Sequence, residues 1–273
     1  MLTTFQHEDV IIGHLGNMQR TSYLYYVDGM LVDTGPPKML QHVIPFYKQT
    51  EIDFVCLTHS HEDHCGTAPW LANECGIPVY AHKNAIDICS KPATYPRYRQ
   101  FVWGLRDEGF PVQPIQETFQ TRNFTWEVIE TPGHAYDQVA YYNREKGWLF
   151  AGDIYVTPKT RLILSWEHIR DTMNSLQRVL TYDFDHMFCG HAGHVKDGKR
   201  MLQMKFDDLE EKKVEILYLH EKGWSVDEIT KKLFPKHYPL IDLSEEEWHS
   251  KYIVETMIDG FASKETSTYK KEN

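Results

Sequence analysis

The chain has 273 residues, 41 % of them hydrophobic types, enough to bury one large core or one domain plus an appendage. A formal net charge of −10 gives a polyanion no overall field to follow, so nucleic acid is a disfavoured partner and a small molecule the expected one. An odd count of five cysteines without paired short spacing excludes a disulfide framework; the N-terminal stretch lacks a basic-then-apolar leader, and no apolar run approaches the roughly 18 residues a membrane span needs, so the expectation is a soluble, cytoplasmic protein with no membrane partner.

The first sixty residues read as short strands. Val10-Ile11-Ile12 is an apolar run, residues 22–27 are rich in tyrosine, and Met30-Leu31-Val32 follows across Asp28-Gly29, a strong two-residue hairpin signal because glycine tolerates positive φ. That strand ends at Asp33-Thr34-Gly35. Pro36-Pro37 then opens a helix through about Tyr47, with Leu40, Val43, Ile44 and Tyr47 at helical spacing. Phe54-Val55-Cys56-Leu57 is continuously apolar, as expected of a strand buried on both faces. A helix over 66–74 ending at Gly76, and a strand over 77–81, continue an alternation that argues for an α/β layered fold.

Residues 88–122 differ. They are punctuated by proline and carry Tyr95, Arg97, Tyr98, Arg99, Phe101 and Trp103 without a clean period, as an insertion would. The insertion reads either as a wall for a substrate or as a lid packed for stability. Strands return at 125–129, then at 139–142 and 148–150 as a hairpin, and a last one at 186–189. A helix is expected over 166–182. After His194 the chain turns helical and charged: a helix over 205–221 stopped by Gly223, a capping box at Ser225 and Glu228, and a further helix over 244–258 started by Ser244 and Glu247. Leu217 to Leu233 resembles a helix-turn-helix only loosely, and it lacks a basic face for DNA.

The chemistry concentrates in Thr58-His59-Ser60-His61-Glu62-Asp63-His64, which places three imidazoles and a carboxylate in one short loop. Three later pieces accompany it: Thr131-Pro132-Gly133-His134, Ala151-Gly152-Asp153 and Cys189-Gly190-His191. Five histidines and two aspartates are enough nitrogen and oxygen donors for two divalent metals. Each donor sits just past the end of an expected strand, where loops on a rigid scaffold converge. Imidazole and carboxylate donors suit zinc, iron or manganese; zinc is the first choice, but a set without a thiolate lacks the strongest argument for zinc alone. Cys65 and Cys189 read as small buried hydrophobes, and His82, His168 and His194 as positions outside the ligand set.

This pattern resembles the metallo-β-lactamase superfold: an early Asp, then H-x-H-x-D-H, a single His, a single Asp and a last His, in the same order over roughly residues 8–195. The resemblance is to its glyoxalase II-like and lactonase-like branches. It implies an αββα four-layer sandwich of two mixed sheets with outer helices over residues 1–198, a small helical C-terminal appendage over 199–262, and a polar tail over 263–273. It implies that His59, His61 and His134 hold one metal, that Asp63, His64 and His191 hold the other, and that Asp153 bridges them. Asp63 and Asp153 would be the catalytic carboxylates, with Asp33 a supporting group and Tyr155 a candidate aid to the oxyanion. The implied reaction is attack by a metal-bridging hydroxide on a small ester, thioester or lactone. The alternatives are a nuclease of the same superfold, a mononuclear-iron persulfide dioxygenase-like oxidoreductase, and a non-catalytic metal scaffold. Flavodiiron chemistry is disfavoured by His61, where that class has a glutamate.

Overall fold

The computed structural model describes residues 1–17 and 20–262, so the polar tail expected over 263–273 lies outside the described residues. The chain divides into two units. The first is built from Met1–Glu130, Asp137–Val156 and Asp183–Lys199; the second is built from Thr131–Tyr136, Thr157–Tyr182 and the chain from Arg200 onward.

The first unit begins with a seven-stranded sheet in simple sequence order: β1 (Leu2–His7), β2 (Val10–Asn17), β3 (Arg20–Val27), β4 (Met30–Val32), β5 (Phe54–Cys56), β6 (Val79–Ala81) and β7 (Gln113–Pro114). β1 to β4 are antiparallel neighbours, and β4 to β7 run parallel. The change has a local cause. Val27 pairs with Met30 across Asp28 and Gly29, whose φ angles of 51° and 88° are those a two-residue hairpin turn demands. A parallel neighbour instead needs a crossover, which α1 (Leu40–Gln49) supplies between β4 and β5. Three short helices follow in this unit: α2 (Glu62–Cys65), α3 (Ile86–Cys89) and α4 (Arg97–Trp103).

A second, six-stranded sheet contains β8 (Thr118–Gln120), β9 (Thr125–Glu130), β10 (Val139–Asn143) and β11 (Trp148–Gly152). After β12 (Ile163–Leu164), which belongs to the second unit, it resumes with β13 (His186–Cys189) and β14 (Gly193–Lys196). Its order is β14-β13-β11-β10-β9-β8, and only β11 and β13 are parallel. The two sheets bury one shared core in which Tyr25, Val32, Trp126, Tyr141, Phe150 and Phe188 meet, with the Phe150 and Phe188 rings stacked at 4.7 Å. Each such side chain removed from water contributes roughly 1.5–3 kcal/mol. A second cluster on the other face of the first sheet takes Leu31, Val55 and Leu57 against Val43 and Tyr47 of α1. β5 thus sends Val55 to one cluster and Cys56 to the other, which is why its sequence is apolar throughout.

The second unit pairs β12 with β15 (Trp248–His249) and holds α5 (Ile169–Leu180), most of α6 (Gly198–Glu221), α7 (Val226–Leu233), α8 (Pro239–Leu243) and α9 (Lys251–Ala262). α5 buries Ile169, Met173, Leu176 and Val179 along one stripe. The capping box of α7 is present as read: the Ser225 hydroxyl accepts from the Glu228 backbone, and the Glu228 carboxylate accepts from the Ser225 N–H.

Several elements depart from the sequence reading. β1 was not anticipated, because as an edge strand it exposes Thr3, Thr4, Phe5 and Gln6 and carries no apolar alternation. The helix expected over 66–74 is present over residues 68–74, with a π-helical stretch at Trp70–Glu74, and a separate short helix, α2, precedes it inside the histidine loop, where Glu62 and Asp63 favour the positive end of the helix dipole. The helix expected over 244–258 is not one element. Ser244 closes α8, Glu245 and Glu246 adopt positive φ, β15 intervenes, and α9 starts only at Lys251. The Ser244 hydroxyl there accepts from Trp248 N rather than capping a helix. β13 is not the last strand, since β14 returns antiparallel beside it.

Candidate metal centre

The parallel strand β5 ends at Cys56, and its continuation carries the 58–64 loop. β11 ends at Gly152 and delivers Asp153; β13 ends at Cys189 and delivers His191. Six of the seven candidate ligands lie in the first unit, and the structure brings them together. His59 Nε2 lies 3.1 Å from His61 Nδ1, and the rings of His59 and His64 are 4.0 Å apart. His64 Nε2 is 3.5 Å from Asp153 Oδ1. His191 Nε2 is 3.0 Å from Asp153 Oδ2 and 3.2 Å from Asp63 Oδ2. Asp153 therefore stands between two histidines that come from loops more than a hundred residues apart.

Backbone and side-chain hydrogen bonds hold each donor. Asp33 follows β4 with a φ of 56°, a strained backbone for a residue other than glycine. Its carboxylate accepts from Thr58 N at 2.7 Å, from the Thr58 hydroxyl at 2.8 Å, and from His64 Nδ1 at 2.8 Å. That last bond places the His64 proton on Nδ1 and leaves the buried Nε2, which makes no hydrogen bond among the described residues, facing Asp153. His191 is set the same way, since its Nδ1 donates to Thr21 O at 2.6 Å. Ser60 N donates to Asp137 at 2.9 Å, and Asp153 N donates to Gln138 Oε1 at 3.2 Å. Gly190 is required by close approach: a Cβ there would fall 2.4 Å from both Asp153 Oδ1 and His64 Cε1.

The electrostatics are those of a site short of positive charge. Burial opposes protonating His64, yet the Asp153, Asp33 and Asp63 carboxylates hold it well above the ordinary imidazole value. Burial likewise opposes charging His191, and Asp153 and Asp63 raise it in the same way. Burial would push the Asp153 acid up, but His191 and His64 pull it well below the carboxylate range; Asp63 is lowered against its own burial by His64 and His191. Two buried carboxylates thus recruit protons onto neighbouring imidazoles, and a divalent cation would supply that charge directly. The geometry fits one. Asp63, His64 and His191 offer donor atoms within 4.8 Å of one another, and so do His59, His64 and Asp153.

His134 is placed in the second unit, on the Thr131–Tyr136 loop, with its Nδ1 3.2 Å from the buried Glu167 carboxylate. Gly133 before it has a φ of 141° and packs against Thr172, whose backbone nitrogen would lie 2.5 Å from a Cβ. Tyr155 is buried, and its carbonyl accepts from the Cys189 thiol. Cys65 and Cys189 are buried and free, as read from sequence.

Sequence reasoning missed a buried ion pair behind the loop. Glu62, flanked by His61 and Asp63, accepts from Arg99 of α4 through two bonds of 2.7 and 2.6 Å. The insertion is anchored further by Tyr95, whose hydroxyl donates to Gly104 O and accepts from Arg106 N. Trp103, at the end of α4, sets its ring 6.1 Å from that of His191. The insertion therefore borders the first unit's histidine cluster, the position expected of either a wall or a lid.

Two facing mixed sheets with a histidine–aspartate cluster at the strand ends define a metallohydrolase type of protein. The chain belongs to the metallo-beta-lactamase superfamily, whose family model matches residues 16–191. A probable metallo-hydrolase of Bacillus subtilis, YqjP, is 25 % identical over 79 % of this chain and 81 % of its own length. A beta-lactamase-like protein 2 homolog of Drosophila melanogaster is 27 % identical over 62 % of this chain and 56 % of its own. A hydroxyacylglutathione hydrolase of Hydrogenovibrio crunogenus is 33 % identical over 59 % of this chain and 52 % of its own, so the match spans about half of several relatives. Among solved structures, a beta-lactamase domain protein from Burkholderia ambifaria superposes with a TM-score of 0.74 at 16 % identity, over 95 % of this chain and 88 % of that one. A metallo-beta-lactamase family protein from Thermus thermophilus does so at 0.69 and 18 %, over 94 % and 95 %. Both likenesses show the fold, which is the mixed two-sheet architecture read from the sequence.

Proposed function

We propose that the protein is a dinuclear metallohydrolase acting on a small ester, thioester or lactone. The observation that carries this reading is the meeting of Asp63, His64, Asp153 and His191 around one point, with His59 and His61 beside them. His59, His61 and His134 would hold one ion, Asp63, His64 and His191 the second, with Asp153 serving both; His134 enters on the family pattern alone. Zinc is the first candidate, iron and manganese the alternatives. Bound divalent metals supply Lewis acidity and bring the pKa of water from 15.7 to about 7.

The chain's own residues do the rest. Asp63 stays ionised and orients the attacking water. Asp33 keeps His64 in the tautomer that presents Nε2, and the Thr21 carbonyl does the same for His191. Trp103 gives the acyl or leaving group an apolar wall beside His191. The thioester option draws support from the relative named hydroxyacylglutathione hydrolase. The five free cysteines suit a reducing, cytoplasmic setting.

The test is a panel of an acyl-glutathione thioester, an aryl acetate and a lactone, assayed with zinc-loaded protein. Turnover of at least one, abolished in Asp153→Asn, is expected. No turnover above background with two metals bound per chain would refute the reading, and salt-sensitive cleavage of single-stranded RNA in its place would assign a nuclease.

A further inference from the structure

A second set of histidines lies outside the cluster described above. His7 closes β1, His186 opens β13, and His194 lies in β14. His186 pairs with Lys196 and Phe188 with His194, so His186 and His194 are diagonal neighbours on one face of that hairpin. His7 arrives from the other sheet. Its ring stacks on His194 at 4.0 Å and lies 4.7 Å from His186, and Phe188 forms the floor with its ring 5.1 Å from that of His194. One ring nitrogen from each of the three lies within 4.8 Å of the others.

One hydrogen bond joins two of the rings, and the third has none at its buried nitrogen. His186 Nδ1 and His194 Nε2 face each other at 2.9 Å, where only one can carry the proton. His7 Nε2 is buried and makes no hydrogen bond among the described residues. Burial, then the neighbouring His7 and His186, push His194 down to about 4, and burial, then His186, lowers His7. These two rings are therefore neutral at physiological pH, the form in which imidazole donates a lone pair. Glu8 and Lys196 lie within electrostatic reach with opposite signs.

We propose that His7, His186 and His194 form a separate site for one first-row divalent transition-metal ion, which ties β1 of the first sheet to the β13–β14 hairpin of the second. Three imidazoles suit zinc, nickel or copper. Zinc–nitrogen bonds of about 2.0–2.1 Å in tetrahedral array put the nitrogens about 3.3 Å apart. The 2.9 Å His186–His194 approach and the 4.8 Å outer limit bracket that spacing, and His7 completes the site by turning its ring out of the stack on His194. Each ring keeps its single proton on the nitrogen turned away from the ion. Positions 7, 186 and 194 share no local spacing, so sequence gives this site no motif.

The test compares zinc bound per chain after equilibrium dialysis against excess zinc, for the intact protein and for His7→Gln/His186→Gln. The difference cancels whatever the hydrolytic centre binds, so its failure is distinct from failure of the proposed function. One zinc fewer per chain in the variant is expected, with hydrolytic turnover unchanged and the zinc-induced rise in Tm reduced. Equal stoichiometry would overturn the proposal, and so would a folded variant that loses turnover together with the ion. Should the double variant fail to fold, His194→Gln alone reads the same difference.

Discussion

Asp33 accepts three hydrogen bonds, two from Thr58 and one from His64, in a backbone conformation that costs strain. Asp33→Asn keeps the shape and tolerates positive φ, but it puts an amide donor against groups that already donate. Groups behind a ligand are typically worth 10–100-fold in metal affinity. Asp33→Asn is expected to weaken zinc retention by about that factor, measured by competition with a coloured chelator. Gly190→Ala tests the space itself, because its Cβ would displace Asp153 or His64 from a 2.4 Å approach. Loss of both zinc and turnover, with the fold retained by circular dichroism, is expected. At this scale the H-x-H-x-D-H loop was legible because its donors are contiguous, and Asp153 and His191 because each ends a strand. Asp137, Gln138 and the Thr21 carbonyl were not, since common residue types reach the site only through pairing across distant strands. His134 is expected from its Pro-Gly-His context, and the structure shows its Nδ1 3.2 Å from Glu167 in the second unit.

α4 bears on the loop through Arg99, whose side chain is 12 % exposed against 2 % for Glu62. Removing one member of a buried pair strands the other's charge, which costs about 3–5 kcal/mol. Arg99→Met should therefore lower Tm sharply, and Arg99→Met/Glu62→Met should recover most of the loss; a single variant as stable as the parent would remove the anchor from the account. A second prediction concerns the β3–β4 turn. Asp28 accepts from Asn123 N and Nδ2, both at 2.6 Å. Burial opposes it, but hydrogen bonds from Thr121 and Asn123 lower its acid below the usual 3.8. A depressed carboxyl contributes stability that is present above the unfolded value and is lost as pH falls through the folded one. Asp28→Ala should lower Tm at pH 7, and the gap between variant and parent should close as pH drops below 3.8. The Asp28-Gly29 turn and the α7 cap were legible because turn and cap chemistry is local. β1 was hidden because Thr3, Thr4, Phe5 and Gln6 face water, and the α8–α9 junction because the Ser-x-x-Glu pattern recurs in a turn, where Ser244 serves Trp248 instead.

Over the whole molecule, a net charge of −10 coexists with a centre whose carboxylates pull protons onto buried imidazoles. Those two facts point the same way: a cation would stabilise this centre, and the overall charge disfavours a polyanion. Among the described residues no helix is long and apolar enough to cross a membrane. The alternation of apolar runs with helical spacing disclosed an α/β layered protein. The two facing sheets were legible through the family resemblance, but which side chains meet between them, Tyr25, Trp126 and Phe150 among them, emerged only with the structure. The most direct test of the central claim is turnover of a thioester or ester substrate by protein stripped with a chelator and titrated back with zinc. None is expected in the stripped protein, followed by a rise that levels once the two ions of the hydrolytic centre are bound. Turnover that survives complete removal of metal would contradict it.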